Sequence, residues 1–247
     1  MSAWVDGLVS ERHDWAEGLM TLRIDADIDP FRAGQWLNLG LRIDGELVRR
    51  AYSLASAPGS PPEFYLTRVS TGSFTPRLFD LELGDEVAVE RKPQGFFTLN
   101  YVPDVPELWM VATGTGLGPF IAMLRTNEPW QRFERIVLVH GVRTAEHLSY
   151  REELEERSRA HDARLTCVPV VSREPNATDV VHGRVTSSLE SGELEKAAGL
   201  ELHTERSHVM LCGNPEMIAD MTKLLEHRGM RRHRQRRPGH VSSENYW

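Results

Sequence analysis

Over the first hundred residues, apolar positions come in short runs broken by glycine, proline or aspartate. The runs Leu19 to Ile24, Gln35 to Leu41, Arg49 to Leu54, Glu63 to Val69 and Asp85 to Glu90 predict strands, with a turn at Asp44-Gly45. One short helix fits among them, around Thr75 to Leu81. This is the pattern of an antiparallel β-barrel or sandwich. From Leu108 the rhythm changes. Apolar strands at Glu107 to Thr113, Ile136 to Gly141, Leu165 to Val171 and His208 to Cys212 alternate with helices. The helices fall at Gly118 to Thr126, Tyr150 to His161, within Ser188 to Gly199, and at Pro215 to His227. Such alternation predicts a doubly wound parallel sheet covered on both faces. Pro103 and Pro106 interrupt any regular element between the halves. The expectation is an N-terminal β-barrel over residues 1–100 and an α/β domain over 101–247.

In a doubly wound sheet, ligands sit beyond the carboxyl ends of the strands. There the chain places its glycines and polar residues: Thr113 to Gly118, Gly141 to Thr144, Ser172-Arg173 and Cys212 to Pro215. In the first half, Arg50-Ala51-Tyr52-Ser53 closes a strand and Gly72-Ser73-Phe74-Thr75-Pro76 precedes the short helix. An arginine beside the free N–H groups of a helix start suits a pyrophosphate. Tyr52 lies on the opposite strand face from Ala51 and Ser53, so ring and hydroxyl meet one flat ligand only if the chain turns around it.

Composition narrows the chemistry. The 247 residues are 40% hydrophobic and 26% charged, and the longest apolar runs, such as Ile136 to Val139, are strand-sized. None approaches the roughly 18 to 20 residues that cross a bilayer. Asp6, Glu11, Asp14 and Glu17 argue against a signal peptide, which makes the cytoplasm the expected location. Two distant cysteines, Cys167 and Cys212, form neither a disulfide framework nor an iron–sulfur ligand set. No metal site is expected among the ten histidines, and His227, His233 and His240 read as a solvated basic tail. Net charge is −7, yet Lys223, Arg228, Arg231, Arg232, Arg234, Arg236 and Arg237 form a basic run. That run is a solvated helix end or a docking face; no nucleic-acid module accompanies it.

Four blocks taken together resemble the ferredoxin–NADP reductase flavoenzyme family. Arg50-x-Tyr52-Ser53 resembles its flavin motif. Val111-Ala112-Thr113-Gly114-Thr115-Gly116-x-Gly118-Pro119 and Val209-Met210-Leu211-Cys212-Gly213-Asn214-Pro215-x-Met217 resemble its two nicotinamide motifs. The ending Glu244-Asn245-Tyr246-Trp247 resembles that of its bacterial members. The blocks occur in family order and span essentially the whole chain.

The resemblance implies bound FAD and NADP(H) as cosubstrate. Arg50 would hold the FAD pyrophosphate, with Ala51 beside it. Tyr52 would pack on the isoalloxazine, and Ser53 would hydrogen-bond near the flavin N5. Tyr65, Thr67 and Val69 would line the ribityl chain, and Ser73, Phe74 and Thr75 would lend phosphate donors. Thr115 and Asn214 fall in the nicotinamide blocks, Thr115 resembling the residue between the flavin and nicotinamide sites. Cys212, otherwise a packing residue, would lie beside the nicotinamide C4 without forming a covalent bond. Glu244 would position nicotinamide or relay a proton. Tyr246 would cover the flavin face and move aside as a gate, the tail returning to the flavin, and Trp247 would stack on the FAD adenine.

Arg143-Thr144, Ser172-Arg173 and Arg184 flank strand ends of one sheet, as a 2′-phosphate pocket requires, although Glu174 pulls toward NADH. The implied reaction is hydride transfer between NADP(H) and FAD, with single electrons exchanged with ferredoxin or flavodoxin. These acidic carriers would dock near Arg228 to Arg237, and a monomer is expected. The alternatives are an NADH-dependent, FMN-binding oxygenase reductase or flavin reductase on the same scaffold, and a non-enzymatic electron-transfer scaffold.

Overall fold

In the computed structural model, which describes residues 3–234 and 236–245, the two sequence rhythms become two six-stranded sheets. The chain divides into two compact units. Among the described residues, one comprises 3–99 together with Gly118–Thr126; the other comprises Asn100–Leu117, 127–234 and 236–245.

The first unit contains β1 (Trp4–Ala16), β2 (Leu19–Asp25), β3 (Trp36–Ile43), β4 (Glu46–Ser53), β5 (Glu63–Thr67) and β6 (Glu86–Glu90), with α1 (Phe74–Phe79) before β6. The strands run antiparallel in the order β4-β3-β6-β1-β2-β5. The outer strands then meet: Leu54 bridges Phe64, and the Ala55 N–H donates to the Glu63 carbonyl at 2.7 Å. Closure leaves no long unpaired edge, as in a barrel. Alternate residues point inward, so Leu37, Leu39, Leu41 and Ile43 of β3 meet Val87 and Val89 of β6 in one core. β1 departs from the expectation, because its residues lay outside every predicted strand. Only Gly7 and Val9 of its thirteen residues are buried, and two register shifts break its alternation.

A helix, α2 (Gly118–Leu124), groups with this unit. Arg125, just beyond it, donates to Glu63 Oε1 at 2.8 Å and to the Ala55 carbonyl at 3.0 Å, while Arg23 of β2 holds Glu63 Oε2 at 3.1 Å. The Glu63 carboxylate is thereby buried between two guanidinium groups.

The second unit contains β7 (Glu107–Thr113), β8 (Arg135–Val142), β9 (Leu165–Val171), β10 (Val181–His182), β11 (Ser207–Gly213) and β12 (Val241–Asn245). All pair in parallel, in the order β10-β9-β8-β7-β11-β12. Its helices are α3 (Glu128–Arg132), α4 (Arg151–Ala160), α5 (Val185–Glu190), α6 (Glu193–Ala198) and α7 (Pro215–His227). Val137, Val139, Val168, Val209 and Leu211 of the sheet bury against Leu189, Leu194, Met221 and Leu225 of α5, α6 and α7. The short helix expected within Ser188 to Gly199 is α6, and Gly192, at φ 80, separates it from α5. Strand order reverses between β7 and β11, the switch point at which doubly wound sheets open a crevice.

Two further expectations change. His233 and His240 are partly buried rather than a solvated tail, and their Nδ1 atoms accept the Gly239 N–H at 3.2 Å and the Arg231 N–H at 2.8 Å. The terminal segment also forms a strand, β12, laid along β11 from Val241 to Asn245. No helix among the described residues is long and apolar enough to cross a membrane.

Candidate functional site

In the first unit, the flavin-motif residues collect where β4 ends beside α1. Alternation puts Val48, Arg50 and Tyr52 on one face of β4. Tyr52 packs on Phe74, the first residue of α1, with ring centroids 6.2 Å apart and planes 27° apart. Burial raises the Tyr52 phenol to about 12, against the opposing charge of Arg50. Arg50 is exposed, as is Ala51, and Ser53 is buried opposite Trp36.

The donor set suits a pyrophosphate. The first N–H groups of α1 have no intrahelical acceptor, and the Ser73 side chain does not cap them. The Thr75 hydroxyl is committed elsewhere: it accepts the Val69 N–H at 2.8 Å and donates to the Val69 carbonyl at 3.1 Å. Thr75 therefore ties the loop, and the backbone of Ser73, Phe74 and Thr75 is what remains for phosphate. Tyr65 is buried on β5, Thr67 donates weakly to the Gly18 carbonyl at 3.3 Å, and Val69 is exposed.

In the second unit, the switch point is built by close backbone packing. The Gly114–Leu117 turn follows β7, and Gly213-Asn214 follows β11. A Cβ on Gly116 would sit 2.5 Å from the Cys212 carbonyl oxygen, and one on Gly213 would sit 2.3 Å from Thr113 Oγ1. Both distances are impossible for a side chain, so the glycines set the spacing of the crevice. Thr113 Oγ1 also accepts the Asn214 N–H at 2.9 Å. Asn214 Oδ1 caps α7 through the N–H groups of Glu216 and Met217 at 2.8 and 3.2 Å. Thr115 is half-buried within the turn.

Cys212 pairs with Glu244 in the β11–β12 register, so the two side chains are neighbours on one face. Burial, then the Glu244 charge, pushes the Cys212 thiol well above its ordinary value. A protonated, buried thiol is a poor nucleophile. Tyr246 and Trp247 lie outside the described residues.

Arg143, Arg173 and Arg184 are all exposed, and none has an ion-pair partner among the described residues. The loops carrying the first two are joined: the Arg173 N–H donates to the Arg143 carbonyl at 2.8 Å, and Ser172 Oγ donates to the Val142 carbonyl at 3.2 Å. Ser172, Arg173, Glu174, His182 and Gly183 line a cavity of about 260 Å³. Glu174 Oε2 is occupied by the Ala145 N–H at 2.7 Å, so this carboxylate fixes the loop after β8. Thr144 Oγ1 lies 2.6 Å from His147 Nδ1. His182, which lines this cavity, was not among the residues singled out from the sequence. The basic run is divided. Arg228 is bound to Glu195 Oε2 at 2.8 Å and to the Leu189 carbonyl at 2.9 Å, whereas Arg231, Arg232, Arg234, Arg236 and Arg237 are exposed.

Residues 110–223 match the family model described as "Oxidoreductase NAD-binding domain". The chain is 47% identical to a flavodoxin/ferredoxin–NADP reductase of Shigella flexneri and 46% identical to one of Escherichia coli, each covered over 100% of both chains. The crystal structure of a ferredoxin–NADP+ reductase of Neisseria gonorrhoeae, with bound FAD and NADP, superposes with a TM-score of 0.91 at 29% identity over 99% of each chain. Full-length similarity at this level, with both nicotinamide blocks at the switch point of one sheet, shows that the chain belongs to the flavodoxin/ferredoxin–NADP reductase family.

Proposed function

We propose that this protein is an FAD-dependent reductase that exchanges hydride with NADP(H) and single electrons with ferredoxin or flavodoxin. The observation that carries the choice of cosubstrate is the set of exposed arginines, Arg143, Arg173 and Arg184, around the loops after β8, β9 and β10. Three cations without carboxylate partners among the described residues suit a 2′-phosphate, and the Glu174 carboxylate that would favour a free ribose is bonded to the Ala145 N–H.

Arg50 and the N–H groups opening α1 hold the FAD phosphates. Tyr52 covers the ring, Ser53 offers a hydroxyl at N5, and the strand from Tyr65 through Thr67 to Val69 follows the ribityl chain. Bound FAD supplies what side chains cannot, accepting two electrons as hydride and releasing them singly. Cys212 stays protonated and orients nicotinamide by packing, next to the Glu244 carboxylate. Tyr246 gates the flavin face, and Trp247 stacks on adenine. The exposed arginines from Arg231 to Arg237 steer an acidic carrier, a weak and salt-sensitive contact. A cytoplasmic location and a monomeric state complete this reading.

Anaerobic stopped-flow reduction by NADPH and by NADH, with the released flavin identified by chromatography, tests this. Fast bleaching by NADPH with FAD released is expected. Preference for NADH with FMN released would move the protein to the oxygenase-reductase class.

A further inference from the structure

His140 has no part in the chemistry above, yet it is buried in the middle of the parallel sheet, between Ala112 of β7 and Pro169 of β9. An imidazole there loses hydration that a leucine would not miss, so its burial requires a compensating bond. That bond is to the Gly114 carbonyl, 3.1 Å from Nε2. A carbonyl only accepts, so the proton sits on Nε2 and the tautomer is fixed. Burial lowers His140 to about 4, and the ring is neutral across the physiological range.

The acceptor is what gives the contact its reach. Gly114 opens the turn with φ 53, and its carbonyl shares a planar peptide unit with the Thr115 N–H. In a trans peptide the two point in opposite directions. Holding the Gly114 oxygen on His140 therefore aims the Thr115 N–H away from the His140 ring. One residue further, Gly116 packs against the Cys212 carbonyl, so the same turn is pinned at both ends.

We infer that His140 is a positioning residue for nicotinamide: it clamps the Gly114–Thr115 peptide so that Thr115 presents its N–H and hydroxyl to the nicotinamide nucleotide. This rests on the reading of the Gly114–Leu117 turn as part of the nicotinamide site. The clamp acts on the reacting end of the dinucleotide, whereas Arg143, Arg173 and Arg184 act on its 2′-phosphate.

The test compares His140→Leu, which keeps bulk and removes the donor, with His140→Gln, whose amide reaches about as far as Nε2, and His140→Asn, which is polar but too short. In the FAD-loaded protein, amide exchange of the peptide spanning residues 113–118 should quicken in the Leu and Asn variants and return to the wild-type rate in Gln. The limiting rate of bleaching by NADPH should fall about tenfold in Leu and Asn, the scale of one lost buried hydrogen bond, and recover in Gln. Affinity for 2′,5′-ADP should stay unchanged in all three. If the Leu variant does not fold, the Asn and Gln pair carries the comparison. Equal exchange and equal bleaching in Asn and Gln would overturn the inference, and so would a parallel loss of 2′,5′-ADP binding, which marks general damage. Failure of the parent reading looks different: the wild-type protein itself would not be bleached by NADPH, and no nicotinamide would then meet Thr115.

Discussion

The two sheets solve the same problem, burying a β surface, in opposite ways. The antiparallel unit closes on itself, presents one face of each strand to the core, and leaves polar residues on the other. Its one deeply buried carboxylate, Glu63, is satisfied by two arginines. The parallel unit buries both faces, so its strands are continuous apolar runs, and its buried titratable groups include the neutral imidazoles of His140 and His208. The first unit contains a single histidine, His13, which is exposed. The parallel unit also holds a buried carboxylate, Glu107, bonded to Arg206 at 2.7 Å and Ser207 at 2.8 Å, so what sets it apart is the pair of neutral buried imidazoles, and that difference exposes it to acid.

Acid gives the largest separation. His140 is lowered to about 4 by burial and His208 to about 3 by burial and then by His233. The folded state therefore binds fewer protons than the unfolded chain, whose histidines titrate near 6.5. Above that value protonation contributes nothing to the balance, and stability falls as pH drops from about 6.5 toward the folded values. Each histidine contributes about 1.4 kcal/mol per pH unit, or about 5 kcal/mol for the pair at pH 4.5. That is comparable with the whole stability of a typical domain. His208 adds a reason of its own, since Nε2 meets Ser242 Oγ at 2.9 Å and its ring packs edge-on against His233 with centroids 5.6 Å apart. Amide exchange followed from pH 7.5 to 4.5 should show the second unit opening first. Opening of the barrel peptides before those of β8 and β11 would refute the assignment.

The reverse experiment attacks the first unit. Glu63→Ala leaves the Arg125 guanidinium, only 18% exposed, without its carboxylate. Breaking a buried pair from one side costs about 3 to 5 kcal/mol. The expected result is a lower unfolding temperature and faster exchange in β2, β5 and the residues around Ala55, with β7 to β11 unchanged at neutral pH. Glu63→Gln, which keeps an acceptor, should cost less. A loss spread evenly over both units would show that the arginine pair does not belong to the barrel alone.

The same contrast explains what could be read in the sequence. β7, β8, β9 and β11 were visible because a strand buried on both faces is a run of Val, Leu and Ile, and the glycines at their ends mark the crevice. β1 was not, because most of it is exposed and its two bulges destroy the alternation that marks a half-buried strand. β10 is two residues long, and β12, Val-Ser-Ser-Glu-Asn, has almost no apolar content. Of the site, Arg50, Tyr52 and Phe74 are gathered beside one another, and Cys212 is set against Glu244. The structural tasks of the Thr75 hydroxyl and the Asn214 amide were not legible, because a hydroxyl or amide near a helix start is as useful to the backbone as to a ligand. His140 left no sequence signal, since its partner is a backbone carbonyl.

The smallest effect tests specificity on the parallel unit alone. Arg173 lines the 260 Å³ cavity beyond β9, and its backbone is bonded to the loop that carries Arg143. If its guanidinium holds the 2′-phosphate, Arg173→Ala removes a charge-assisted hydrogen bond of about 1.5 to 3 kcal/mol, which weakens NADPH binding about tenfold to a hundredfold. The bond is formed before reaction and is kept through it, so the limiting bleaching rate should stay near wild type while the half-saturating NADPH concentration rises. NADH, which lacks the phosphate, should bind the variant as it binds the wild type. Unfolding temperature should not change, because the side chain is exposed. Equal losses for NADPH and NADH would mean that the cavity reads the adenosine rather than the phosphate, and would transfer the choice of cosubstrate to Arg143 and Arg184.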